Sequence, residues 1–315
     1  MYPEIEPYKT HYLPTGEGHV LYVEECGNPN GIPVVFLHGG PGGHCKPYQR
    51  SLFNPELYRI ILFDQRGAGR SIPKGSLQTN TTQELIKDIE KLRRKLNIEQ
   101  WLIFGGSWGS ALGLLYAQYF PDRVLAMILR GIFLARQKDV RWLYSEEGVG
   151  RLFPAQWQLL MSLIPIESRE NPLPLYYDLL THQDDDIAQM AALNLVGWSG
   201  CIVSHNTFPT PVECTEEMLS EVRIECHYAA NQFFIEDNQV IQRMNKLQNI
   251  SSIIIHGQQD LLCPLEGAYT LHQAWENSEL RILPTGGHLT NEPETLDAIV
   301  QATDEMSEML AEQFF

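Results

Sequence analysis

Basic residues are scarce in this chain: 23 lysines and arginines stand against 39 aspartates and glutamates, for a formal net charge of −16 over 315 residues. A surface of that sign repels phosphate, so neither nucleic acid nor an anionic membrane is expected as a partner. Cysteine is also sparse and unpatterned. The six cysteines, Cys26, Cys45, Cys201, Cys214, Cys226 and Cys263, form no C-x-x-C pair. The opening Met1-Tyr2-Pro3-Glu4-Ile5-Glu6 has none of the basic-plus-apolar character of a signal peptide. A disulfide framework is therefore not expected, and the chain reads as cytoplasmic. No apolar run approaches the ~18 residues of a membrane span. The H-E-x-x-H pattern of metallopeptidases is missing, and His182 with Asp184-Asp185-Asp186 reads as a solvated loop rather than a metal site. Long linkers, internal repeats and low-complexity tracts are lacking too. What is left is a soluble chain long enough to bury a full core without staples, as one large domain with an insertion or as two domains.

Within that chain, strand-like runs alternate with helix-like ones. The strands are expected near Val20–Glu24, Val34–Leu37, Arg59–Phe63, Trp101–Phe104, Ala126–Leu129, Ser252–His256 and Leu280–Leu283. Leu85, Ile89, Leu92 and Leu96 recur at helical spacing with charged residues opposite. Such alternation implies an α/β fold with a mainly parallel sheet flanked by helices. From residue 134 to 234 the pattern changes to amphipathic helices and proline-rich turns. The predicted organisation is a core of residues 1–133 and 235–315 with a helical cap, 134–234, inserted over its active site.

The most informative segment is Gly105-Gly106-Ser107-Trp108-Gly109, set between the apolar run Trp101–Phe104 and a helix-forming stretch from Ser110. Strand, G-x-S-x-G, helix is the setting of a nucleophile elbow. The sharp turn strains the serine backbone and leaves its hydroxyl exposed at a helix N-terminus, where developing negative charge is favoured. A serine hydroxyl needs a base, and in this architecture an acid and then a histidine follow on loops after later strands. Asp260 lies just past the Ser252–His256 run, and His288 just past Leu280–Leu283. Ser107, Asp260 and His288 are thus the candidate catalytic residues, His288 moving the proton and Asp260 fixing its tautomer. The candidate oxyanion hole pairs the backbone N–H of Trp108 with that of Gly40, in the loop His38-Gly39-Gly40-Pro41-Gly42-Gly43. That loop matches neither phosphate-binding glycine motif. Cys45, near this loop, and Cys263, near Asp260, are placed to line or approach the site, or to be simply buried.

Taken together, His38–Gly43, Asp64-Gln65-Arg66-Gly67-Ala68-Gly69-Arg70-Ser71 and Gly105–Gly109 resemble the proline iminopeptidases (prolyl aminopeptidases), which are α/β-hydrolase-fold serine peptidases. The likeness runs nearly end to end, from Tyr2–Tyr8 through Leu129-Arg130-Gly131-Ile132-Phe133 to Glu292-Pro293-Glu294. It implies release of an N-terminal proline or similar residue from short peptides, without a metal or organic cofactor.

The resemblance also implies a substrate pocket, and here the chain departs from the family pattern. Two glutamates usually grip the substrate amine. One lies in an R-I-E-N-H-Y-F segment, matched by Arg223-Ile224-Glu225-Cys226-His227-Tyr228-Ala229, so Glu225 is kept. The other lies in a W-E-G segment, matched by Trp198-Ser199-Gly200, so Ser199 replaces it. Ala229 stands where phenylalanine is usual, and Leu143 where tyrosine is usual; Phe133 is kept. The expected pocket thus has one carboxylate, and a glutamate at position 199 is expected to restore the second. Specificity is either relaxed or redirected, or preserved by neighbours such as Phe208, Phe233 or Phe234 refilling the space. The expected activity is that of a serine aminopeptidase acting on a small peptide or amide with a free N-terminus. An esterase or amidase on the same machinery, and a non-catalytic ligand-binding protein of this fold, are the alternatives.

Overall fold

The structure, a computed structural model, describes residues 1–205 and 211–314; Phe208 lies outside them. Its eight strands form one sheet: β1 (Lys9–Pro14), β2 (Val20–Gly27), β3 (Ile32–Leu37), β4 (Tyr58–Phe63), β5 (Trp101–Gly106), β6 (Val124–Arg130), β7 (Ser251–Gly257) and β8 (Ser278–Leu283). The spatial order is β1-β2-β4-β3-β5-β6-β7-β8. β1 and β2 run antiparallel to their neighbours, and all pairs from β4 onward are parallel. Strands covered on both faces need apolar residues throughout, and every residue of Ile32–Leu37 and Trp101–Gly106 is buried. The edge strand β1 escapes the sequence reading because Lys9-Thr10-His11-Tyr12 offers no apolar run and is mostly exposed.

The helices are α1 (Thr82–Lys95), α2 (Trp108–Tyr119), α3 (Gln137–Leu143), α4 (Pro154–Leu160), α5 (Leu173–Leu180), α6 (Asp185–Ser204), α7 (Glu216–Ala230), α8 (Gln239–Gln242), α9 (Leu265–Gln273) and α10 (Pro293–Phe314). α1 begins at Thr81, whose hydroxyl accepts the Glu84 N–H and so satisfies one orphan donor of the first turn. It buries Leu85, Ile89 and Leu92, as their spacing predicts. Helices α3 to α8 all fall between β6 and β7.

One sequence expectation needs correcting. By length and composition α6 is apolar enough to cross a membrane, with a mean hydropathy of 1.4. Part of its apolar surface serves the fold. Ala188, Ala191, Ala192, Leu195, Trp198 and Ile202 are buried, and α6 packs against α4, α5 and α7.

Candidate active site

Ser107 follows β5 and caps α2 with φ 55° and ψ −126°, a left-handed conformation that non-glycine residues rarely adopt. The strain is held by hydrogen bonds. Ser107 N–H donates to Arg130 O at 3.1 Å. The Ser110 hydroxyl donates to Ser107 O at 2.6 Å and accepts the Phe133 N–H at 3.1 Å. The elbow is therefore tied to the segment leaving β6. At Gly109 a β-carbon would collide with the carbonyl oxygen of Leu37, so the motif's second glycine sets how closely α2 packs on β3.

The loops after β7 and β8 bring Asp260 and His288 together. His288 Nδ1 and Asp260 Oδ2 are 2.7 Å apart. An ionised carboxylate can only accept, so Nδ1 carries the hydrogen and Nε2 is left free to act as a base. Asp260 Oδ1 accepts the Cys263 N–H at 2.8 Å. Burial alone would raise the Asp260 pKa, but the charge and hydrogen bond of His288, with His256 and the Cys263 N–H, hold it below the usual carboxylate value. His256 accepts the Ile132 N–H at Nδ1, so its Nε2 donates to Cys263 O at 2.7 Å. Burial lowers the pKa of that imidazole and keeps it neutral. Two further contacts fix the His288 loop: Arg130 donates to His288 O at 2.6 Å, and Glu292 accepts the Gly287 N–H at 2.5 Å.

The polar segment around Asp64 supports the other half of the site. Trp108 Nε1 donates to Gln65 Oε1 at 2.9 Å, and Gln65 Nε2 donates to His38 O at 3.0 Å. The Gln65 N–H donates to His38 Nε2 at 2.9 Å, so His38 Nδ1 carries the hydrogen directed at Gly39 O, 3.0 Å away. Burial lowers the His38 pKa to about 4, which keeps this ring neutral. One network thus joins Trp108 to the loop that carries Gly40.

A cavity of ≈ 260 Å³ unites these parts. Ser107, His288, Gly40 and Trp108 line it. So do all five residues expected from the sequence to contact substrate: Glu225, Phe133, Ser199, Ala229 and Leu143. Of the candidates to refill the pocket, Phe233 lines it, with its ring 5.0 Å from Phe133 and 5.4 Å from Trp108. Its backbone lies at φ 53°, and the Thr82 hydroxyl donates to its carbonyl at 2.6 Å. Phe234 packs instead on His227 and Tyr228. Cys263 lines the cavity. Cys45 is buried against Asp64 and Phe63 O, outside the lining.

Sequence reasoning missed Glu221. It lines the cavity four residues before Glu225 on α7, and residues at that spacing share a helix face. A search for acidic residues one turn from Glu225 would have found it. Burial raises the pKa of both carboxylates; Glu225 reaches about 7, with the charge of Glu221 as the second cause. The pocket thus holds two carboxylates, not the one expected.

The ligand atoms of Asp260, Cys263 and His288 lie within 4.8 Å of one another, near enough to hold a metal ion. Their chemistry is committed otherwise. Both Asp260 oxygens accept N–H groups, and burial, then Asp260, raises the Cys263 pKa well above its ordinary value; metal binding needs a thiolate. His182 Nδ1 accepts the Asp184 N–H, and Asp184 caps α6, so that cluster is a helix start. Cys26, Cys45, Cys214, Cys226 and Cys263 are free thiols.

Residues 32–164 match the family model described as alpha/beta hydrolase fold. The chain is 44% identical to a probable proline iminopeptidase of Leptolyngbya boryana, over 96% of each protein. It is 42% identical to a proline iminopeptidase of Arabidopsis thaliana, over 98% of this chain and 83% of that one. Among solved structures it is similar to a proline iminopeptidase-related protein from Thermus thermophilus, with a TM-score of 0.59, 23% identity and 98% of each chain covered.

Proposed function

The chain belongs to the proline iminopeptidase family, and from that premise we propose which of its residues carry out the cleavage. It is a serine hydrolase of the α/β-hydrolase fold, a prolyl aminopeptidase acting on peptides. In our reading Ser107 Oγ attacks the carbonyl carbon of the N-terminal residue while His288 Nε2 takes the hydroxyl proton. The oxyanion is held by the N–H groups of Gly40 and Trp108. His288 returns the proton to the leaving amine, and water then releases the acyl group by the same steps. Asp260 orients His288 and stabilises its imidazolium form. The substrate enters with a free N-terminus, its ammonium toward Glu225 and its ring against Phe133 and Phe233. Leu143 and Ala229 form the remaining apolar wall, beside Ser199.

The observation that supports this reading best is that His288, bonded to the buried Asp260 at 2.7 Å, lines the same cavity as a strained elbow serine. Phe233 restores part of the apolar wall that Ala229 leaves open, which favours proline over a wholly redirected specificity. The test is a substrate panel: prolyl, alanyl and leucyl p-nitroanilides beside p-nitrophenyl acetate, with fluorophosphonate labelling of Ser107. Prolyl p-nitroanilide is expected to have the highest kcat/KM of the amides. Efficient ester turnover with no release from any aminoacyl amide would replace this reading with an esterase or amidase.

A further inference from the structure

Glu221 has no role in the reaction as described so far, and its surroundings give it no structural partner. No hydrogen bond or ion pair holds its carboxylate among the described residues. Glu225 is scarcely better served: among the described residues only the Tyr144 hydroxyl reaches it, at 3.4 Å. Yet both are partly buried in the cavity of Ser107. Two partly buried carboxylates that repel each other, with His44 and Lys46 acting on Glu221 only at a distance and no ion pair to either among the described residues, are costly in the empty protein. A cationic ligand group placed between them removes that cost.

The position of Glu221 selects the group. At Gly42 a β-carbon would press on the backbone of Glu221, so α7 lies directly against the oxyanion loop. Glu221 Oε1 stands 4.0 Å from the point where a β-carbon on Gly40 would lie. In a peptide with a free N-terminus, the ammonium is separated from the reacting carbonyl carbon only by Cα. A carbonyl oxygen held at Gly40 therefore brings the ammonium to Glu221, whereas an N-acylated peptide or a simple ester brings no charge there.

We propose that Glu221 is a specificity-determining residue that grips the substrate's N-terminal ammonium together with Glu225, one helical turn apart on α7. This rests on the aminopeptidase reading above. The amine anchor of this enzyme is then built on a single helix, and Ser199 needs no carboxylate. Ammonium binding offsets one charge of the pair and eases their repulsion in the same event that seats the carbonyl, so substrates without the charge are disfavoured twice. They gain no contact, and they bury two unpaired acids.

Two readouts on Glu221→Gln, Glu225→Gln and the double variant test this. The first is the ratio of kcat/KM for prolyl p-nitroanilide to that for p-nitrophenyl acetate. The second is the calorimetric affinity of L-prolinamide, against its N-acetyl derivative, in the Ser107→Ala background. Glu221→Gln is expected to lower the ratio about tenfold, mainly through KM, and to weaken prolinamide by a similar factor. A ratio and an affinity both within about twofold of the parent would overturn the proposal, because a charged-group contact is worth more than that. If the parent releases no proline but binds prolinamide with this dependence on Glu221, the anchor stands and the activity reading falls. Absence of both binding and release would remove both.

Discussion

The indole Nε1–H of Trp108 donates to the side-chain oxygen of Gln65 at 2.9 Å. This single bond couples the two arms of the proposed oxyanion hole, because Gln65 also donates to the backbone of His38, at the start of the Gly40 loop. Gln65→Leu would keep the volume and delete both contacts. Losing an oxyanion donor outright costs about 10²–10³ in kcat; loosening the support of both is expected to cost about tenfold to a hundredfold, with little change in KM. Steady-state kinetics on prolyl p-nitroanilide separates the two. An equal loss through KM would assign Gln65 to ground-state binding instead.

The triad prediction is direct. Ser107→Ala and His288→Ala are each expected to lower kcat by several orders of magnitude with the fold retained, and the double variant to lose little more, since these residues act as a unit. Asp260→Asn should cost about 10⁴, because an amide at position 260 can donate to His288 and favour the wrong tautomer. Retention of most turnover in any purified single variant would remove that residue from the mechanism.

Glu225 predicts a pH dependence with a definite sign. Its pKa is raised from 4.5 to about 7 by burial and then by the charge of Glu221, against the hydrogen bond from Tyr144. Glu221 in turn faces the positive field of His44 and Lys46 and the negative field of Glu217. The ionised form binds ammonium, so kcat/KM for aminoacyl amides should climb through about pH 7 with a limb that esters do not show. Glu221→Gln removes the like charge and should move that limb to lower pH. Stability runs the other way. A carboxyl whose folded pKa is raised stabilises the fold fully below its unfolded pKa, and that contribution is lost as pH rises through the folded pKa. The parent should therefore lose Tm between pH 5 and pH 8, and Glu225→Gln should lose less over the same interval. Equal losses would show that Glu225 does not titrate in this range.

Ser199→Glu is expected to weaken the enzyme. From the sequence, a glutamate there looked like the repair of a missing anchor. In the structure Ser199 lines a cavity that already holds Glu221 and Glu225. A third carboxylate adds like-charge repulsion and raises the Glu225 pKa further, so KM for prolyl p-nitroanilide should rise at neutral pH. A fall in KM of about tenfold would instead restore the single-anchor picture.

Local chemistry alone carried much of this protein. Buried parallel strands need continuous apolar runs, so β3 to β7 were legible, and β2 and β8 carried enough apolar residues to be read as well; β1 was not, because Lys9-Thr10-His11-Tyr12 offers no apolar run. The elbow, the order of Ser107, Asp260 and His288, and the glycine loop follow from short motifs whose backbone demands are written in the residues themselves. Tertiary structure decided what depends on elements meeting across the chain. Gln65 bridges Trp108 and His38 only because β3, β4 and β5 lie side by side. Phe233 enters the pocket, and Phe234 does not, through a left-handed turn held by Thr82 at the start of α1. In the sequence, Glu221 is one more charge on a helix of an acidic chain. It becomes part of the site because α7 packs against the oxyanion loop at Gly42, a contact between residues far apart in sequence that no local pattern records.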